Sequence, residues 1–347
     1  MFSKIFRSLL MSALLVFLFS CSEEDSSAEE EKPSETPEEA VDSFDYIALQ
    51  NDGTLYTIGN NTGQVTQTDR IPGIEFNTIF NSVTSSGSKI FIYEHRFDPP
   101  KGILYIYDKQ SGKTVSAILD FPEEFGENTA LMSLDWDEES KNLVGITRED
   151  LDLPTSVKPV KVVRIEPDTF KVTTTSEVDL HSMGYSNVYS TSLIGQKIYA
   201  VTLKNSNWDP DLLEIDLEND AAEVLPVTGR EAGITNLGYS GNGHTLFGFS
   251  PVPNSNSNLM AEVRPVTFNV QDGTVKEISK VPRISTLNFA HKTFYNKEAK
   301  EFAELIGADN KKHLFKYRPS TGEYEMIEIP DPNSIFSVVN IIGVTEL

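Results

Sequence analysis

LYTIGNNTG at residues 55–63 and LYIYDKQSG at 104–112 are one phrase written twice. Alternating apolar residues make a strand, and the polar run closing on Gly63 or Gly112 makes a tight turn out of it. Weaker copies follow: VRIEPDTF at 163–170, LEIDLEND at 213–220, TFNVQDG at 267–273 and FKYRPSTG at 315–322. Their closing positions, 63, 112, 170, 220, 273 and 322, lie 49, 58, 50, 53 and 49 residues apart. Gly, Asn, Asp and Ser in these turns suit hairpins that need left-handed backbone angles.

Each copy follows a β-patterned run: 45–49, 89–93, 142–147, 197–203, 245–249 and 301–306. Ahead of these lies a further apolar run, near 78–83, 130–136, 188–193, 234–239 and 287–294. The first copy lacks one, and an unpartnered run, 336–344, ends the chain. The pattern predicts an all-β fold of 24 strands in six four-stranded units, with the last strand completing the unit that begins at Asp45. Repeats of this length with four strands each are propeller blades. Such closure would remove the open edge between first and last blades. No helical periodicity longer than two turns interrupts 43–347, which therefore resembles the six-bladed β-propeller class, of the TolB-like or NHL-like kind. No closer family is indicated.

The first forty residues speak of location. Residues 1–20 carry Lys4, Arg7 and an apolar run from Leu9 to Phe19 broken only by Ser12, too short to span a bilayer and suited to an export signal. The run ends in Leu18, Phe19, Ser20 and Cys21, which resembles the lipobox of bacterial lipoproteins. Cys21 is the only cysteine of the chain, so no internal disulfide can form. The resemblance implies that Cys21 becomes the mature N-terminus and carries acyl chains such as palmitate, anchoring the protein to the outer membrane. Residues 21–42 hold ten acids and one lysine, a composition for a disordered, self-repelling tether. Acids directly behind the lipidated cysteine resemble a surface-export signal of some Gram-negative lipoproteins; alternatively they only extend the tether. Of the net charge of −23, the body from 43 onward carries −16 with no basic stripe, which excludes nucleic acid as a partner.

Chemistry is sparser. His95, His181, His244, His291 and His313 include no pair at metal-ligand spacing, and neither Gly-x-Ser-x-Gly nor a phosphate-cradling loop is present. His291, in an inner-strand run, is read as packing or bonding there without catalysis. Asp135, beside Trp136 in the third inner run, is the one carboxylate expected to point into a central channel. A calcium-dependent, lactonase-like hydrolase would need two or more acids converging there, so the balance is against an enzyme. Asn77, Asn128, Asn187, Asn236, Asn288 and Asn340 recur at intervals of 51, 59, 49, 52 and 52 that track the turn spacing. They suit either inter-blade hydrogen bonding or binding of a cation, a sugar or water in the channel. The loops 95–102, 148–159, 204–211 and 250–264 vary most and carry two large aromatics, Phe97 and Trp208. The expectation is a lipid-anchored binding or scaffold module that docks a protein, peptide or glycan over that loop face.

Overall fold

The computed structural model describes residues 44–75, 82–126, 128–149, 159–204, 210–228, 233–252, 262–287, 291–330 and 339–345. All belong to one compact unit, Asp42–Leu347. They form six antiparallel sheets and no helix. Listed from the inner strand outward, blade 1 is Val339–Val344, Asp45–Gln50, Thr54–Gly59 and Val65–Arg70. Blade 2 is Val83–Ser86, Lys89–Phe97, Pro100–Asp108 and Lys113–Ile118. Blade 3 opens with Ala130–Leu131 and Asp135–Asp137, followed by Asn142–Arg148, Val160–Ile165 and Val172–Val178. Blade 4 is Tyr185–Ile194, Lys197–Lys204, Pro210–Asp216 and Ala221–Val224. Blade 5 is Thr235–Tyr239, Thr245–Pro251, Val263–Asn269 and Val275–Glu277. Blade 6 opens with Thr286–Leu287 and Phe294–Asn296, followed by Glu301–Ala308, Lys311–Arg318 and Glu323–Glu328.

The packing shows why these sheets form a ring. A blade is covered on both faces, so its second strand is mostly buried, and alternate side chains serve opposite neighbours. In blade 2, Ile90 and Ile92 join the cluster shared with blade 1, while Phe91 and Tyr93 join the cluster shared with blade 3. In blade 1, Tyr46 and Ala48 face blade 6, and Ile47 and Leu49 face blade 2. Six such clusters fill the six junctions, including the one between blades 6 and 1. The outermost strands have no such duty, and Val65–Arg70 and Lys113–Ile118 are mostly exposed. The protein is a six-bladed β-propeller.

The turns agree with the sequence residue by residue. All six closing positions have positive φ: Gly63 at 63°, Gly112 at 65°, Phe170 at 59°, Asp220 at 49°, Gly273 at 71° and Gly322 at 74°. In five of the six turns the residue four positions earlier accepts the returning amide, as Asp108 O does from Gly112 N at 2.8 Å. The Asp108 carboxylate also accepts the amides of Gln110 and Ser111, which holds the turn shut.

Ring closure also follows the sequence pattern. Val339–Val344 pairs antiparallel with Asp45–Gln50, and Thr345 N donates to Asp45 O at 2.8 Å. Five of the six inner strands are irregular, and only Val83–Ser86 of blade 2 pairs in even register. Register shifts occur between Tyr185 and Ser190 in blade 4 and between Thr235 and Gly238 in blade 5. Blades 3 and 6 interrupt theirs outright, so the described residues form 26 strands against the 24 of the sequence reading. The cause is crowding, since six strands converge on one axis and must bend as they do so.

Candidate functional site

Where the inner strands bend, short hydroxyl side chains tie one blade to another. Ser82 Oγ donates to Leu131 O at 3.1 Å, from blade 2 to blade 3. Ser190 Oγ donates to His291 O and accepts Leu237 N, both at 2.9 Å, joining blades 4, 6 and 5. Thr293 Oγ1 donates to Asn236 O at 2.8 Å, from blade 6 back to blade 5.

An ion pair crosses the channel between opposite blades. Lys292 Nζ, from the interruption in blade 6, lies 2.6 Å from Asp135 Oδ1 of blade 3 and donates to Leu134 O at 2.6 Å. Thr191 Oγ1 of blade 4 donates to Asp135 Oδ2 at 2.6 Å. Both side chains of the pair are largely buried, 17% and 10% exposed. Desolvation pulls the Lys292 ammonium below its ordinary value, and the Asp135 charge opposes that pull. Two further buried groups stand beside the pair in blade 6. Burial pushes the His291 imidazole down to about 3, so it is neutral at physiological pH. Burial pushes the Glu304 carboxyl up to about 8, although Thr293 Oγ1 and Leu305 N bond to it.

Below this bar a cavity of about 430 Å³ opens at the C-terminal ends of the inner strands. Asp135, Lys292 and Thr191 form its floor, and Trp136, Tyr239 and Tyr295 stand in its walls. Trp136 stacks face to face on Phe91 at 5.2 Å and 9°, which fixes the plane of the indole. Glu138 at the rim is bonded to Lys297 at 2.6 Å and Lys141 at 3.0 Å, contacts that hold its carboxyl down at about 2. Asp137 is held by Arg164 at 2.8 Å and by Ser140.

The sequence-predicted residues fare unequally. Asp135 does point into the channel, and its partner Lys292 is the residue that sequence reading missed. Its signal was present: Lys292, in the run 287–294, is the one lysine of the inner runs, to match the one inner carboxylate. Phe97 is 58% exposed and stands edge-on to the His95 ring at 4.8 Å, on the loop side of blade 2. Asn187 accepts from Arg148 Nη1 at 2.7 Å across the junction of blades 3 and 4, and its carbonyl accepts the Thr202 hydroxyl. Asn236 is fully buried at φ 52° inside the blade 5 register shift, a left-handed angle that Asn tolerates better than most residues. Asn340 is buried opposite Leu49 and lines the cavity, whereas Asn128 sits in the turn before Ala130. These four do not make one ring. Asn77, Asn288, Trp208 and Cys21 lie outside the described residues. Concavity was expected on the loop face, whose loops lie largely outside the described residues; among the described residues a cavity opens on the face of the short turns.

No family model matches the sequence, and no curated relative does. Solved structures do match by shape. TolB from Acinetobacter baumannii superposes with a TM-score of 0.53 at 10% identity, over 87% of this chain and 65% of that one. A chain of a nidogen/laminin complex gives 0.52 at 9% identity, over 88% and 98%. An oligogalacturonate lyase in complex with manganese gives 0.50 at 10%, over 83% and 77%. The likeness is one of fold alone.

Proposed function

We propose that this protein is a non-enzymatic binding module, held on the outer membrane through acyl chains on Cys21, displayed at the cell surface and taking its ligand at the mouth of the propeller channel. The observation that carries the binding reading is the state of Asp135. Both its oxygens are engaged, one by an ammonium and one by a hydroxyl, which leaves the channel carboxylate as a fixed acceptor. A general base would have to break its ion pair with Lys292, and a calcium ion at Asp135 would be brought up against that ammonium. Among the described residues, no group of three or more His, Cys, Asp or Glu side chains is gathered to hold a metal ion. The cavity volume and the mix of aromatic walls with a few convergent polar groups fit a small-ligand site, typically ~300–1,000 Å³.

Two experiments test this reading. Cys21→Ser should release the protein from the membrane fraction, and protease applied to whole cells should degrade the acylated protein. Melting in excess Ca²⁺ should be unchanged, because a ligand at ~100 times its dissociation constant adds about 2.7 kcal/mol. A calcium-dependent rise in Tm would overturn the non-enzymatic reading in favour of a calcium-dependent hydrolase.

A further inference from the structure

We propose that the channel-mouth cavity binds an uncharged sugar, as one or two rings at the end of a chain, stacked on Trp136. This deepens the binding reading above and rests on it. Three observations carry it.

The first is the wall. Phe91 covers one face of the Trp136 ring and is itself fully buried, so the indole is a rigid platform built from behind. Trp136 lines the cavity with Tyr239 and Tyr295, so three aromatic side chains contribute to the wall, and Tyr239 is held by its hydroxyl bond to Gly243 O. A pyranose ring presents the matching chemistry, apolar C–H faces with hydroxyls round the rim.

The second is the floor. Asp135 is an acceptor at both oxygens, and each oxygen keeps lone-pair capacity beyond the one contact it makes. Lys292 supplies the donor beside it, and the hydroxyls of Ser192 and Ser85 line the cavity further out. Paired donors and acceptors at short range suit hydroxyl groups, which both give and take a hydrogen bond.

The third is charge. Asp135, Asp137, Glu138 and Glu139 line the cavity against two lysines, Lys292 and Lys297. The acids outnumber the lysines of the lining, so a ligand carboxylate would enter against like charge, while a hydroxyl meets no such penalty. The body charge of −16 acts in the same direction at longer range. The cavity therefore discriminates against uronic acids and favours neutral sugars. The floor crossing the channel lets a chain enter by its end and prevents threading through.

The chain has two tryptophans, so Trp208→Phe leaves Trp136 as the only indole reporter. The full chain, in a detergent without a sugar head group, would be titrated with cellotriose, maltotriose, xylotriose, N-acetylchitotriose and trigalacturonate. At least one neutral trisaccharide should shift Trp136 emission saturably, and trigalacturonate should bind at least about tenfold more weakly. Trp136→Ala, followed by calorimetry, should weaken that binding at least about tenfold. Should Trp136→Ala fail to fold, Ser85→Tyr, which fills the cavity mouth from a strand position, should abolish binding with Tm retained. The proposal is overturned if trigalacturonate is the preferred ligand, if Ser85→Tyr binds as well as the parent, or if none of the neutral sugars binds at about 20 mM. Release of shorter sugars during the titration would instead sink the non-enzymatic reading and leave the cavity assignment standing.

Discussion

Blades 4 and 5 carry their inner strands through the channel wall without a break, as Tyr185–Ile194 and Thr235–Tyr239. Blades 3 and 6 interrupt theirs, between Leu131 and Asp135 and between Leu287 and Phe294. Those two blades face each other across the ring, and the ion pair that spans it comes from their interruptions. Unbroken strands spend their polar groups on the sheet and use hydroxyls such as Ser190 to stitch neighbours together. Interrupted strands free a longer side chain to cross the axis. Repetition builds the wall, and departure from repetition furnishes it.

That contrast can be pushed to its limit by removing an inner strand altogether. Deleting Val339–Leu347 strips blade 1 of its innermost strand and exposes the edge of Asp45–Gln50. Calorimetry should show Tm lower by ~10 °C or more, or light scattering should show aggregation. An unchanged melting curve would contradict the clasp.

The next effect compares the two kinds of blade directly. Asp135→Ala strands a buried ammonium and should cost ~3–5 kcal/mol by denaturant unfolding, whereas Ser190→Ala should cost ~1–2 kcal/mol for its two lost hydrogen bonds. Combining Asp135→Leu with Lys292→Met should recover most of the loss, because it removes both charges together. Equal costs for the two single substitutions would erase the distinction between wall and crossing.

Blade 6 adds a pH signature from two fully buried groups. Glu304 stands at about 8 in the folded protein against 4.5 unfolded, so the folded state keeps a proton that the unfolded chain gives up. Stability should therefore fall as pH rises through that window. His291 stands at about 3 against 6.5, so its contribution is complete above 6.5 and is lost as pH falls toward 3. In a Tm-against-pH curve, Glu304→Gln should remove a fall between 4.5 and about 8, and His291→Gln a rise between about 3 and 6.5.

The fold was legible because the strongest sequence signal, a left-handed turn closing every third strand, is a backbone demand that side chains reveal directly. Gly63, Gly112, Gly273 and Gly322 announce it openly, and Asp220 and Phe170 keep the spacing without the glycine. The closing strand was legible because one apolar run had no partner and one blade lacked a strand. The site was half legible. Asp135 was found from its place in the repeat, but Lys292 lies in an interruption, where the repeat no longer says which way a side chain points. Nor could spacing separate the roles of Asn236, which serves a bent backbone, and Asn340, which reaches the cavity.

The smallest prediction separates the two turns that do without glycine. Asp220 is exposed, so Asp220→Gly relieves the left-handed angle and should raise stability by ~0.5 kcal/mol. Phe170 packs against the cluster between blades 2 and 3, so Phe170→Gly should lower stability despite the same relief. Chemical denaturation reads both, and two changes of the same sign would show that packing does not decide the difference.

Closure by the final strand also sets a clock. Thr345 bonds to Asp45 across 300 residues of chain, and each blade buries its flanks only against a neighbour made before or after it. A ribosome or export channel that delivers the chain from its N-terminus presents Asp45–Gln50 first and its inner partner last. Until Val339–Val344 is delivered that strand offers unpaired amides and carbonyls on one side, and the propeller cannot lock before then. A protein that must cross a membrane before folding gains from such a delay. The same delay makes the time between delivery of the first blade and of the last residues the interval in which misassembly would occur.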